Sequence, residues 1–177
     1  GGARARAQYD AADNMTQQLA ALSCLMRAGK GAEVAEVTDA FYRQWRHDRL
    51  VLDKWFGLQI MTAAPTDAAN TAARLTDHPD FTIRNPNRFR AVMGALAGFP
   101  AGFHHASGRG YRLMADMLIR LDPLNPQTTA RMCSAFETWP RFDTDRQALI
   151  LEQIDRILAT PGLSRDTTEM LSRIREA

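Results

Sequence analysis

Apolar residues along this chain recur at intervals of three and four, the spacing that places them on one face of an α-helix. The first clear stripe is Met15, Leu19, Leu22 and Met26, with Asp13 placed to cap it and Gly29-Lys30-Gly31 to end it. Val34, Val37, Phe41 and Trp45 mark a second helix. Asp48 caps a third, from Leu50 to about Thr62, in which Leu50, Val51, Leu52, Trp55, Phe56, Leu58, Ile60 and Met61 cover nearly every side. A helix apolar all round is buried on several faces, and Trp55 and Phe56 are expected at its centre. Pro65 separates it from an alanine-rich helix, Asp67 to about Asp77, whose small side chains allow close packing.

His78 to Ile83 reads as a short extended connector. Asn85-Pro86 then opens a helix with Phe89, Val92, Met93 and Leu96 inward. The asparagine caps, and the proline's missing N–H falls where no partner exists. Gly98 to Gly108 is the longest irregular stretch. Tyr111, Met114, Met117, Leu118 and Leu121 line the next helix. Asn125-Pro126 repeats the earlier cap on a helix carrying Arg131, Met132, Phe136 and Trp139, which Pro140 stops. Asp143 opens another, with Ile150, Ile154, Ile157 and Leu158. Ser164 caps the last, with Met170, Leu171 and Ile174 inward.

No period-two alternation persists beyond three residues, so no strand is expected. The caps at 48, 85 and 125 lie 37 and 40 residues apart, each opening a helix that a second helix follows. A helix-pair period near 40 is the mark of HEAT- or armadillo-type solenoids. The repeat is weak in sequence, with an irregular helical bundle as the alternative; the fold class read from it is all-α, an α-solenoid of stacked antiparallel helix pairs, one helical-repeat domain over 1–177. Stacked pairs leave a concave face that such proteins use for binding.

The 177 residues suffice for one sizeable core, and with 45% hydrophobic and 24% charged residues the composition is that of a globular protein. No apolar run approaches the roughly 20 residues needed to span a bilayer, and no leader-like apolar segment follows Gly1-Gly2-Ala3-Arg4. The start without methionine suggests a processed chain or a piece of a longer one. Cys24 and Cys133 both fall in helical patterns and read as buried free thiols in a reducing cytoplasm. The net charge of +2 is too small to argue for nucleic acid, and no membrane partner is indicated. The charge is uneven, however: residues 84–146 hold 9 basic and 5 acidic groups, and every base there is arginine. Arginine suits bidentate recognition of carboxylates.

Catalytic and metal-binding patterns are missing. There is no His-Glu-x-x-His zinc helix and no serine in a nucleophile elbow. Adjacent His104 and His105 point about 100° apart on a helix and do not share a metal. Ser107-Gly108-Arg109-Gly110 has neither a preceding strand nor a following Lys-Ser/Thr, so it reads as a turn and helix cap. Read alone, the chain is no catalyst, carries no metal ligands and needs no cofactor.

One residue breaks a local rule. Arg88, in Arg84-Asn85-Pro86-Asn87-Arg88-Phe89-Arg90, sits in the first turn of a helix, where the positive end of the dipole disfavours a cation. It either pairs with Asp77, Asp80 or Asp116, or it is aimed at an anionic group outside the chain. The second choice leaves a free-standing helical-repeat adaptor for acidic peptides or proteins as one functional reading.

Several words point to another. They are Ala12-Asp13-Asn14-Met15-Thr16, Phe41-Tyr42-Arg43-Gln44-Trp45, Leu52-Asp53-Lys54-Trp55-Phe56, Asn85-Pro86-Asn87-Arg88-Phe89-Arg90, Phe103-His104, Gly110-Tyr111, Asn125-Pro126-Gln127 and Phe142-Asp143-Thr144-Asp145-Arg146-Gln147. In this order, across almost the whole chain, they resemble the C-terminal helical domain of the bacterial aminopeptidase N (alanyl aminopeptidase) family of zinc metallopeptidases. The resemblance implies a cytoplasmic parent enzyme that removes N-terminal residues from peptides. Its zinc ligands, general base and amine-binding glutamates lie outside this stretch. It implies a non-catalytic lid whose partners are the catalytic domain of the same polypeptide and peptide substrates. Arg88, Arg90 and Arg131 are where it implies basic groups near the substrate's distal end. Where this chain has His104 to Arg109, members of the family carry a more acidic loop.

Overall fold

The computed structural model of the protein describes residues 1–29 and 31–177; Lys30, within the expected helix stop at Gly29-Lys30-Gly31, lies outside them. Helix accounts for 73% of the residues, and no strand occurs among those described. The order is α1 (Gly2–Ala11), α2 (Met15–Ala28), α3 (Ala32–Trp45), α4 (Arg49–Met61) and α5 (Ala68–Thr76). Then come α6 (Pro86–Phe89), a π turn (Arg90–Gly94), α7 (Ala95–Ala97) and α8 (Pro100–Phe103). The chain ends with α9 (Arg109–Leu121), α10 (Pro126–Met132), two 3₁₀ turns (Cys133–Phe136 and Trp139–Arg141), α11 (Thr144–Leu158) and α12 (Arg165–Arg175).

The caps explain why helices start where they do. The side chains of Asp48, Asn85, Asn125, Asp143 and Ser164 each accept a hydrogen bond from a backbone N–H two or three residues on. Each such cap contributes about 1 kcal/mol. The cap of α2 is Asn14 rather than Asp13; it accepts from the Gln17 N–H. α1 was not foreseen, because Gly2–Ala11 carries only Ala5 and Tyr9 as buried positions. The glycine-rich stretch after Gly98 contains the one-turn helix α8, initiated by Pro100.

Neighbouring elements pack in sequence order. α1 lies on α2, α2 on α3 and α4, α4 on α5 and the π turn, and α5 on α9. α9 then meets α10 and α11, and α12 packs on α10 and α11. Successive helices thus stack as the solenoid pattern requires. The core they enclose runs through Leu22, Phe41, Phe56, Phe89, Met93, Phe103, Tyr111, Met114, Phe136, Ile150 and Leu171, all essentially inaccessible. Trp55 is 6% exposed and Phe56 fully buried, as expected of the centre of α4. The same helix is not buried on every side, however: Leu50 is 71% and Met61 38% exposed at its two ends. Cys133 is a buried free thiol, but Cys24 is free and exposed, since it falls off the buried Gln18–Ala21–Leu22–Leu25 face of α2.

Around the start of α9 geometry requires glycine at two positions. Gly108, at φ +69°, turns the chain into α9. At Gly110 an added Cβ would stand 2.5 Å from the Phe103 carbonyl oxygen. The Ser107-Gly108-Arg109-Gly110 segment is thus a turn and a close packing point between α8 and α9.

Candidate substrate-channel site

The three arginines singled out from sequence meet different fates. Arg88 turns inward and is 4% exposed. Its Nε donates to Asp53 Oδ1 at 2.5 Å, its Nη1 donates to the Asp80 carbonyl, and its Cζ lies 4.9 Å above the Phe56 ring. The first-turn cation is therefore balanced by a half-buried acid 35 residues earlier in the chain, within the Asp-Lys-Trp-Phe word. Asp80 serves the chain again through its carboxylate, which accepts the Tyr42 hydroxyl at 2.5 Å. Its N–H donates to His78 Nδ1 at 3.1 Å. The His78 ring packs against Tyr42, Trp55 and Phe56. The connector expected to be extended turns instead: the Phe81 N–H donates to the His78 carbonyl at 2.9 Å, and these contacts pin His78 and Asp80. Arg88 has its partner in Asp53 and the Asp80 main chain, not in Asp77 or Asp116.

Two residues on, Arg90 is exposed and its Nη2 donates to the Asn87 side chain at 2.8 Å. It opens the π turn, an extra-residue helical turn of a kind often found at functional sites.

Arg131 is exposed in the last turn of α10, and among the described residues it has neither a hydrogen bond nor an ion pair. It does not pair with Glu137. It lines a cleft of about 330 Å³ with Gln127 and Ala130 of its own helix and with Asp166, Glu169, Met170 and Arg173 of α12. Asn125-Pro126 sets the start of α10, so Gln127, Ala130 and Arg131 follow on one helical face. Sequence reasoning missed the α12 side of this cleft. Its signal was the i, i+3, i+4, i+7 spacing of residues 166, 169, 170 and 173, beside the buried stripe of Thr167, Leu171 and Ile174.

The loop at His104 and His105 is part of the packing. The His104 ring stacks on Phe142 with centroids 4.1 Å apart, its Nδ1 lies 2.9 Å from the Tyr111 hydroxyl, and its carbonyl accepts Arg146 Nε at 2.7 Å. Burial, with Arg146 nearby, holds the His104 imidazole below its usual range, and burial pushes the Tyr111 phenol up to about 12. Both are neutral near pH 7. Among the described residues no three His, Cys, Asp or Glu side chains converge as a metal site would require.

Comparison with known proteins agrees with this picture of a helical-repeat domain. Residues 1–176 match the ARM-repeat family described as a domain of unknown function, DUF3458_C. The chain is 38% identical over 172 residues to aminopeptidase N of Caulobacter vibrioides, covering 97% of this chain and 20% of that protein. It is 39% identical over 166 residues to aminopeptidase N of Haemophilus influenzae, covering 93% of this chain and 19% of that protein. The crystal structure of Legionella pneumophila aminopeptidase A in complex with aspartic acid superimposes with a TM-score of 0.91 at 29% identity, over 99% of this chain and 20% of that one. The chain thus spans about a fifth of the length of the curated relatives it matches.

Proposed function

The chain belongs to the DUF3458_C family of ARM repeats, and from that membership we propose that residues 1–177 form one helical-repeat domain, the non-catalytic C-terminal lid of a cytoplasmic zinc aminopeptidase. In this reading the catalytic domain of the same polypeptide supplies the zinc ligands, the general base and the site for the free amine. The helical domain closes the cavity over the substrate and binds its distal end. The parent's assignment as an alanyl aminopeptidase belongs to the same reading; the likeness to proteins named aminopeptidase N supports an aminopeptidase parent. The exposed free thiol of Cys24 suits a reducing compartment.

The observation that carries the lid's part in binding is Arg131: a cation in a cleft, with no partner among the described residues. A peptide held by its amine at the metal end points its carboxylate away, toward the lid. Arg131 is free to take that carboxylate, or a main-chain carbonyl beyond the cleaved bond, in a charge-assisted hydrogen bond. Arg90 stands open for the same work at the start of the π turn. Arg88, fully engaged with Asp53 and Asp80, contributes by holding the helix that presents Arg90.

The test is Arg131→Ala in the full-length enzyme, assayed on tripeptides and on a single-residue chromogenic amide. Loss of one such bond costs about 1.5–3 kcal/mol, or roughly 10- to 150-fold in kcat/KM, on the tripeptide. The amide has no distal carboxylate, so its rate is expected to change little. Equal losses on both substrates, or none on either, overturn the reading.

A further inference from the structure

The cleft that holds Arg131 has a second wall. Asp166, Glu169, Met170 and Arg173 stand on one stripe of α12, facing Gln127 and Arg131 of α10. That wall is held firmly. Buried Asp122, just past α9, accepts hydrogen bonds from the Ser164 N–H at 2.7 Å, the Ser164 hydroxyl at 2.7 Å and the Thr167 hydroxyl at 2.6 Å. At the other end of α12, Trp139 Nε1 donates to the Ile174 carbonyl at 2.7 Å. The stripe therefore keeps its register against α10.

The charges in the cleft are not matched to one another. Arg131 and Asp166 have no hydrogen bond or ion pair among the described residues. Among the described residues Arg173 donates only to the thioether sulfur of Met170, at 3.1 Å. Glu169 is paired with Arg165, but those side chains are 62% and 87% exposed. Such a surface pair contributes little and exchanges readily for a better partner. Two cations and two anions thus line one small cleft, with a flexible apolar side chain, Met170, between them. A ligand that satisfies all of them carries a negative and a positive group a few bonds apart.

Resting on the reading that Arg131 takes a peptide carboxylate, we propose that the α10–α12 cleft is a subsite for a C-terminal basic residue. Arg131 and Arg173 bind its carboxylate, Met170 packs on the aliphatic stem, and Glu169 with Asp166 receives the lysine ammonium or arginine guanidinium. An acidic residue at the same place meets Glu169 and Asp166 as like charges and is disfavoured.

The experiment measures kcat/KM of the full-length enzyme on Ala-Ala-X and Ala-Ala-Ala-X peptides, with X as Lys, Ala or Glu. It compares the native enzyme, a Glu169→Gln/Asp166→Asn double variant, Arg173→Gln and Arg131→Ala, with the thermal midpoint of each as a check on folding. The native enzyme is expected to prefer Lys over Glu by about 2- to 5-fold at low salt, the range that exposed ion pairs supply. The double variant is expected to bring that ratio to about 1. Arg173→Gln is expected to lower rates on free-acid peptides and not on their C-terminal amides. A Lys-to-Glu ratio that the double variant leaves unaltered overturns the subsite while leaving Arg131's role intact. If Arg131→Ala shows no dependence on peptide length, the reading beneath it falls and the subsite falls with it.

Discussion

Arg88 carries the clearest lesson at the residue scale. Its place in a first helical turn flagged it from sequence as needing an acid or a ligand, and the acid proves to be Asp53. Periodicity is blind to that pairing, because the partners sit on different helices 35 positions apart. Arg88→Met is expected to leave Asp53 without its cation in a partly buried site, at about 3–5 kcal/mol by chemical denaturation. A loss below about 1 kcal/mol would show Asp53 to be solvated without it. Trp55→Ala is expected to cost about 3–5 kcal/mol, since a large, well-packed aromatic leaves a cavity. The histidines predict a pH dependence. Burial holds His78 and His104 below the ordinary 6.5. The unfolded chain then binds more protons than the folded one, so their stabilising contribution is present above about pH 6.5 and lost as pH falls. The thermal midpoint is expected to drop between about pH 7 and pH 5, and to drop less in a His78→Gln/His104→Gln double variant.

At the scale of elements, the caps were legible because a side-chain oxygen before an apolar stripe has one local use. Asp48, Asn85, Asn125, Asp143 and Ser164 all fill it. α3, α5 and α9 lack such a cap and were legible from the pattern of their side chains, but two elements had neither signal. α1 has almost no apolar stripe, and the π turn depends on how α4 receives residues 90–94 rather than on their order. Nor did the sequence mark Asp122, which lies at the C-terminal end of α9, where the dipole disfavours an anion. Its three donors, two on the α12 cap Ser164 and one on Thr167, explain its place. Asp122→Ala is expected to cost about 1.5–3 kcal/mol, the range for hydrogen bonds to a charged group. Hydrogen exchange is expected to quicken in α12 and not in α2. Uniform quickening across the chain would place the residue's role in global stability instead.

For the whole molecule, helical repetition was readable from the spacing of caps, and the family from words distributed along the chain. Most of those words prove to be joints of the fold: Tyr42 on Asp80, Asp53 on Arg88, Phe142 on His104. That is why they identify a domain so well and a substrate so poorly. The site was only half readable, since its α12 wall is made by packing helices that the chain visits 40 residues apart. As proposed above, this domain holds no chemistry of its own and works by closing on the catalytic part of a larger peptidase. The most direct test is to dialyse the 177-residue chain and its full-length parent side by side, then measure bound zinc and hydrolysis of an alanyl amide. About one zinc and full activity are expected for the parent, and neither for the domain. Stoichiometric zinc or turnover in the isolated domain would contradict it.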